Sequence, residues 1–120
     1  MGNALVIEDS LTEREIITQY LKLAGIGFDH AHSGEEALEK LNSSLPDLII
    51  LDVVLPGRSG FEICRQLKSS DKTSKIPIVM CSTKDSEMDK FWGKKQGADA
   101  YIPKPIDQEL FISTIKELIK

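Results

Sequence analysis

Residues 48–56 read Leu48-Ile49-Ile50-Leu51-Asp52-Val53-Val54-Leu55-Pro56, and this stretch decides the fold. A continuous apolar run suits a strand covered on both faces, as in a parallel sheet. Asp52 interrupts the run where the strand should end, and Pro56-Gly57 turns the chain soon after. In open α/β sheets, ligands bind in the crevice beyond the carboxyl ends of the strands. An acid there could equally cap a helix or solvate a loop, so the reading depends on what else reaches that edge.

The sequence has 120 residues, enough for one core and too few for two, so residues 1–120 are read as a single domain. At 41% hydrophobic and 28% charged it has the composition of an ordinary globular protein. A net charge of −4 leaves no electrostatic footprint for nucleic acid. No apolar run is long enough for a bilayer, and Met1-Gly2-Asn3 opens no signal peptide, so no membrane role and a cytoplasmic location are expected. Met1-Gly2 would begin an acylation motif, but Val6 stands where Ser or Thr is required. Cys64 and Cys81 lie in apolar contexts and read as buried thiols.

Outward from the central run, Ala4-Leu5-Val6-Ile7 is a first strand ending at Glu8-Asp9. Ser10 and Glu13 form a capping box for a helix carrying Leu11, Ile16, Ile17, Tyr20, Leu21 and Ala24, stopped by Gly25. Gly27 to His32 alternates like an edge strand, and Ser33 with Glu36 caps a helix bearing Ala37, Leu38 and Leu41. After Gly60 comes a helix with Phe61, Ile63, Cys64 and Leu67 facing inward, then a polar, solvated loop from Ser69 to Lys75. Ile76 to Cys81 is a fourth strand running into Ser82-Thr83-Lys84, followed by a helix over about Asp85 to Lys95 in which Phe91 packs inward, flanked by Met88 and Trp92. Ala98 to Pro103 is a short fifth strand ahead of Lys104-Pro105, and a last helix from Asp107 places Leu110, Phe111, Ile115, Leu118 and Ile119 on one side.

Strands alternating with helices predict an α/β, doubly wound, five-stranded parallel sheet. Right-handed crossovers then bring all strand carboxyl ends to one edge, where Glu8-Asp9, Asp52, Ser82-Thr83 and Lys104 meet. Carboxylates gathered this way repel unless neutralised, and a hard divalent cation such as Mg²⁺ suits their oxygens. Lys104 adds a point charge and Ser82 a hydroxyl, both able to hold a phosphoryl group. Together they suggest phosphoryl transfer with Asp52 as nucleophile. The plainer alternative is an ion-paired cluster at a sheet edge.

The chain resembles a response-regulator receiver domain of the single-domain chemotaxis type, from Ala4 to Ile119. The matching motifs are Glu8-Asp9, Leu51 to Pro56 with Gly60, Pro77 to Ser82, and Gly97 to Pro105. The resemblance implies a flavodoxin-like three-layer sandwich with strand order 2-1-3-4-5. It implies that Asp52 accepts a phosphoryl group from a phosphohistidine on a sensor histidine kinase or phosphotransfer protein. It further implies that Asp9, Asp52 and the backbone oxygen of Val54 bind Mg²⁺, with Glu8 reaching it through water. Lys104 would pair with the phosphoryl oxygens ahead of a cis bond to Pro105, while Ser82 and Tyr101 act as the switch. Output in such domains uses the face of the fourth helix, fifth strand and fifth helix, here with Trp92, Lys95 and Tyr101. Trp92 to Gln96 also resembles, more loosely, receivers attached to pilus motility and phototaxis clusters. Val54 and Lys84 differ from the fast-dephosphorylating chemotaxis type, which implies a longer-lived aspartyl phosphate and at most slow autodephosphorylation.

His30 and His32 would share one face of the edge strand without a further metal ligand nearby, which makes them surface histidines. Two other classes compete with the phosphorylated switch, which would act through protein partners without an output domain of its own. One is a pseudo-receiver that works only as an interaction module, and the filled site positions argue against it. The other is an aspartyl-phosphate hydrolase rather than a non-enzymatic module. Such enzymes place an acid two residues after the nucleophile, where Val54 stands.

Overall fold

The structure, a computed structural model, describes residues 2–119; Met1, on which the amino-terminal motif reading depends, and Lys120 lie outside them. The strands are β1 (Asn3–Ile7), β2 (Gly27–Ala31), β3 (Leu48–Leu51), β4 (Ile78–Ser82) and β5 (Ala100–Pro103). They alternate with α1 (Leu11–Leu23), α2 (Gly34–Ser43), α3 (Gly60–Ser69), α4 (Glu87–Lys95) and α5 (Gln108–Leu118). All strand pairs are parallel in the order β2-β1-β3-β4-β5, as expected, with β2 at an edge. The order reverses between β1 and β3, so the crevice for a ligand opens beyond those two strands.

The apolar runs are explained by their surroundings. Alternate residues of β3 enter opposite cores: Ile49 and Leu51 pack with α2 and α3, while Leu48 and Ile50 pack with α1 and α5. β1 and β4 divide in the same way, Leu5 and Met80 to the first core, Val6 and Val79 to the second. A strand buried on both faces has no solvated side to carry polar residues. Cys64 and Cys81 are free and buried within these cores.

Several local expectations need correction. The caps of α1 and α2 are only half boxes: Ser10 and Ser33 accept from the amides of Glu13 and Glu36, but neither carboxylate returns to its cap. Glu36 accepts instead from the amide of His32 at 2.6 Å. Complete boxes occur at α3 (Ser59 with Glu62) and α4 (Ser86 with Asp89). The 69–75 segment is not wholly solvated, since Thr73 is buried and its hydroxyl donates to Leu67 O at 2.6 Å. Leu11 and Leu110 lie exposed rather than on the inner stripes of their helices.

The largest departure is α4. Phe91 does not pack into the core; it is 59% exposed, along with Met88 and Trp92. The inward position of α4 is Gly93, where an added Cβ would lie 2.7 Å from Tyr101 Cδ2 and 3.0 Å from Met80 Sδ. The ring of Tyr101 fills the space that a helix side chain would otherwise use.

Candidate functional site

The strand ends are joined by backbone hydrogen bonds that fix their side chains against one another. Asp52 N–H donates to Ile7 O at 3.1 Å, and Lys104 N–H donates to Ser82 O at 3.0 Å. Glu8 N–H donates to Ala31 O at 3.0 Å. Residues at the exits of β1, β3, β4 and β5 are therefore brought to one rim. Beyond Asp52, Gly60 N–H donates to Val53 O at 2.8 Å, and a Cβ on Gly60 would stand 2.1 Å from Asp52 O. No residue with a side chain fits there, so Gly60 lets α3 close against the loop that carries Asp52.

Lys104 is the hub. Its ammonium, on a side chain 6% exposed, donates to Glu8 Oε1 at 2.7 Å and to Asp52 Oδ2 at 3.1 Å. Asp52 Oδ1 accepts from Val54 N–H at 3.2 Å, and Glu8 Oε2 accepts from Ser10 N–H at 3.1 Å. Burial, with help from the charge of Asp52, pushes the Glu8 carboxyl above its ordinary range against the opposing bond from Lys104. Burial also pulls the Lys104 amine down, but the hydrogen bond it donates to Glu8 and the field of Asp52 outweigh this and hold the amine above its usual value. Lys104 is therefore an ammonium throughout the physiological range.

The structure brings Glu8, Asp52 and Lys104 into contact, while Asp9, the next residue after Glu8, is exposed. The expectation of three clustered carboxylates is thus corrected: Lys104 bridges the inner two and offsets one of their two charges. Among the described residues, no group of three His, Cys, Asp or Glu side chains could hold a metal ion. Mg²⁺ does not need one, because it commonly binds through one or two carboxylates and keeps several waters. The hard oxygens of Asp9, Asp52 and the Val54 carbonyl fit that habit, and Val54 is exposed beside them.

Ser82 ends β4 fully buried, its hydroxyl accepting from Lys84 N–H at 3.2 Å. Tyr101, half-buried over Gly93, donates its hydroxyl to the carbonyl of Lys84. Burial first, and then the negative charge of Asp89, pushes the Tyr101 phenol up to about 12. The backbone of Lys84 thus bonds both expected switch residues. Of the residues expected on the partner face, Trp92 and Tyr101 line different clefts. Trp92 lines a cleft between α3 and α4 with Phe61, Glu62 and Arg65. Tyr101 lines another with Lys90, Phe91 and Lys94. The Lys104–Pro105 bond is cis, as expected. His30 on β2 and His32 just beyond it stack edge to face at 5.5 Å, with His32 paired to Glu36.

One contact escaped the sequence reading. Glu13 Oε1 lies 4.0 Å from Lys104 Nζ, and its only sequence signal was an acid three residues after Ser10, which capping explains equally well.

A family model for the response regulator receiver domain matches residues 4–116. The chain is 38% identical to Protein PilH of Pseudomonas aeruginosa over 119 residues, covering 99% of this chain and 98% of that protein. It is 36% identical over 116 residues to Response regulator MprA of Mycobacterium ulcerans, covering 97% of this chain and 49% of MprA. It superposes on the crystal structure of chemotaxis protein CheY4 of Vibrio cholerae with a TM-score of 0.89 and 31% identity, covering 98% of each.

Proposed function

The chain belongs to the response regulator receiver domain family, and on that premise we propose that Asp52 is a phosphoacceptor in a two-component relay. A partner phosphohistidine, on a sensor histidine kinase or a phosphotransfer protein, is the donor. One carboxylate oxygen of Asp52 forms the new bond to phosphorus as the N–P bond breaks and the imidazole leaves. The observation that carries this reading is the placement of the Lys104 ammonium 3.1 Å from Asp52 Oδ2, inside a rim of hydrogen-bonding groups. Such a charge stabilises the phosphoryl oxygens without rearrangement of the backbone.

Asp9, Asp52 and the Val54 carbonyl would hold Mg²⁺, with Glu8 reaching it through water, and the ion supplies charge neutralisation between carboxylates and phosphoryl oxygens. Ser82 then offers its hydroxyl to the phosphoryl group. Because the Ser82 hydroxyl and the Tyr101 phenol both bond the backbone of Lys84, movement of Ser82 frees or captures Tyr101. The altered surface of α4, β5 and α5 is what a downstream protein reads. Likeness to a chemotaxis protein supports a role in motility or taxis. The chain acts as a signalling module rather than a turnover enzyme.

The test is intact-mass spectrometry after incubation with a small acyl phosphate and Mg²⁺. An increment of one phosphoryl group that is lost in Asp52→Asn supports the switch. No adduct supports a pseudo-receiver acting by binding alone, and continuous consumption of donor supports a hydrolase.

A further inference from the structure

We infer that Glu13 is a positioning residue for Lys104, holding the ammonium back from the phosphoryl group that Asp52 receives. This rests on the phosphoacceptor reading above and adds a residue to it. Two independent observations carry the inference. Glu13 Oε1 lies 4.0 Å from Lys104 Nζ, completing a ring of three carboxylates with Glu8 and Asp52. And the Glu13 carboxylate is not spent on a capping box: the Ser10 amide is bonded by Glu8 Oε2, not by Glu13. The Glu13 backbone amide caps the helix through Ser10 Oγ at 3.3 Å, which leaves the carboxylate free to face Lys104.

Glu8 and Asp52 accept hydrogen bonds from Lys104, whereas Glu13, at 4.0 Å, lies beyond hydrogen-bond distance and acts on the ammonium through its charge alone. Transfer from an acyl phosphate breaks the bond from phosphorus to the acyl oxygen and forms one to Asp52, the acyl carboxylate leaving. Throughout, the phosphoryl oxygens compete with carboxylates for Lys104. Glu13 is 33% exposed, so solvent weakens its pull but does not remove it. Its charge also repels an incoming anionic donor.

The experiment measures the second-order rate of Asp52 phosphorylation by acetyl phosphate at saturating Mg²⁺, for wild type, Glu13→Gln and Glu13→Asp, at two salt concentrations. Glu13→Gln should react about fivefold faster, as expected for removing a half-screened charge near 4 Å. The advantage should shrink at high salt, and Glu13→Asp, which keeps the charge, should stay near wild type. The ¹⁵N resonance of the Lys104 ammonium should move in Glu13→Gln before any phosphodonor is added. Equal rates for wild type and Glu13→Gln, or equal changes in the Gln and Asp variants, would overturn the inference while leaving wild-type phosphorylation intact. Absence of any wild-type adduct would instead remove the phosphoacceptor reading itself.

Discussion

The Lys104 ammonium donates to Glu8 Oε1 at 2.7 Å, a bond between groups 96 positions apart in the chain that ties the end of β5 to the end of β1. With Asp52 also on the ammonium, one cation is shared by two buried carboxylates. Removing it leaves both buried carboxylates without a counter-charge. Lys104→Met is therefore expected to lower stability at neutral pH by about 3 kcal/mol, the usual scale for breaking a buried pair. Adding Glu8→Gln to that variant should restore much of the loss, read by urea unfolding in a double-mutant cycle. Additive losses would mean that the two residues do not depend on each other.

The Glu8 carboxyl sits above its ordinary value of 4.5 in the folded chain. The folded state therefore binds this proton more readily than the unfolded state. Its contribution to stability is fully present below the ordinary value and is lost as pH rises through the raised one. Relative to Glu8→Gln, the wild type should gain stability on acidification toward pH 4.5, measured by urea unfolding without divalent ions. The exposed carboxyls of Asp29 and Glu36, lowered by Lys40 and His32 respectively, work in the opposite direction but cancel in the difference. A flat difference across this window would count against a buried, strained Glu8.

Gly93 and Tyr101 should be energetically coupled. Alanine raises helix propensity by about 1 kcal/mol over glycine, but a Cβ at position 93 would meet the Tyr101 ring at 2.7 and 2.9 Å. Gly93→Ala is expected to destabilise the protein by about 2 kcal/mol, as overpacking does, and to push Tyr101 off the Lys84 carbonyl. In a Tyr101→Ala background most of that penalty should vanish. Equal penalties in the two backgrounds would refute the coupling.

The strands and the inner site were legible in the sequence because double burial leaves a continuous apolar signature and because Asp52 and Lys104 break such runs at their ends. The surface of α4 was not. Helical periodicity marks apolar residues as inward, yet at α4 the inward place belongs to Gly93, since the neighbouring strand already supplies Tyr101 to fill it. Phe91, Met88 and Trp92 are turned outward as a result. Glu13 was hidden for a different reason. The spacing Ser10 to Glu13 announces a cap, and nothing local reveals that Glu8 bonds the Ser10 amide instead.

Val54 bears on how long a phosphoryl group persists. It is 56% exposed beside Asp52 and offers no side-chain hydrogen bond to orient an attacking water. Decay of the phosphorylated wild type is expected to be severalfold slower than that of Val54→Asn, followed by intact mass after the donor is removed. Decay as fast as the variant's would show that water is placed by other groups.

The most direct measurement locates the phosphoryl group on the chain. Borohydride reduction converts an aspartyl phosphate to homoserine, which peptide mass spectrometry reads at a single position. Treatment with acetyl phosphate and Mg²⁺, followed by reduction, should give homoserine at residue 52 alone, and none when the divalent ion is chelated. Homoserine elsewhere, or an unmodified Asp52 under these conditions, would contradict the assignment of this strand end as the phosphoacceptor.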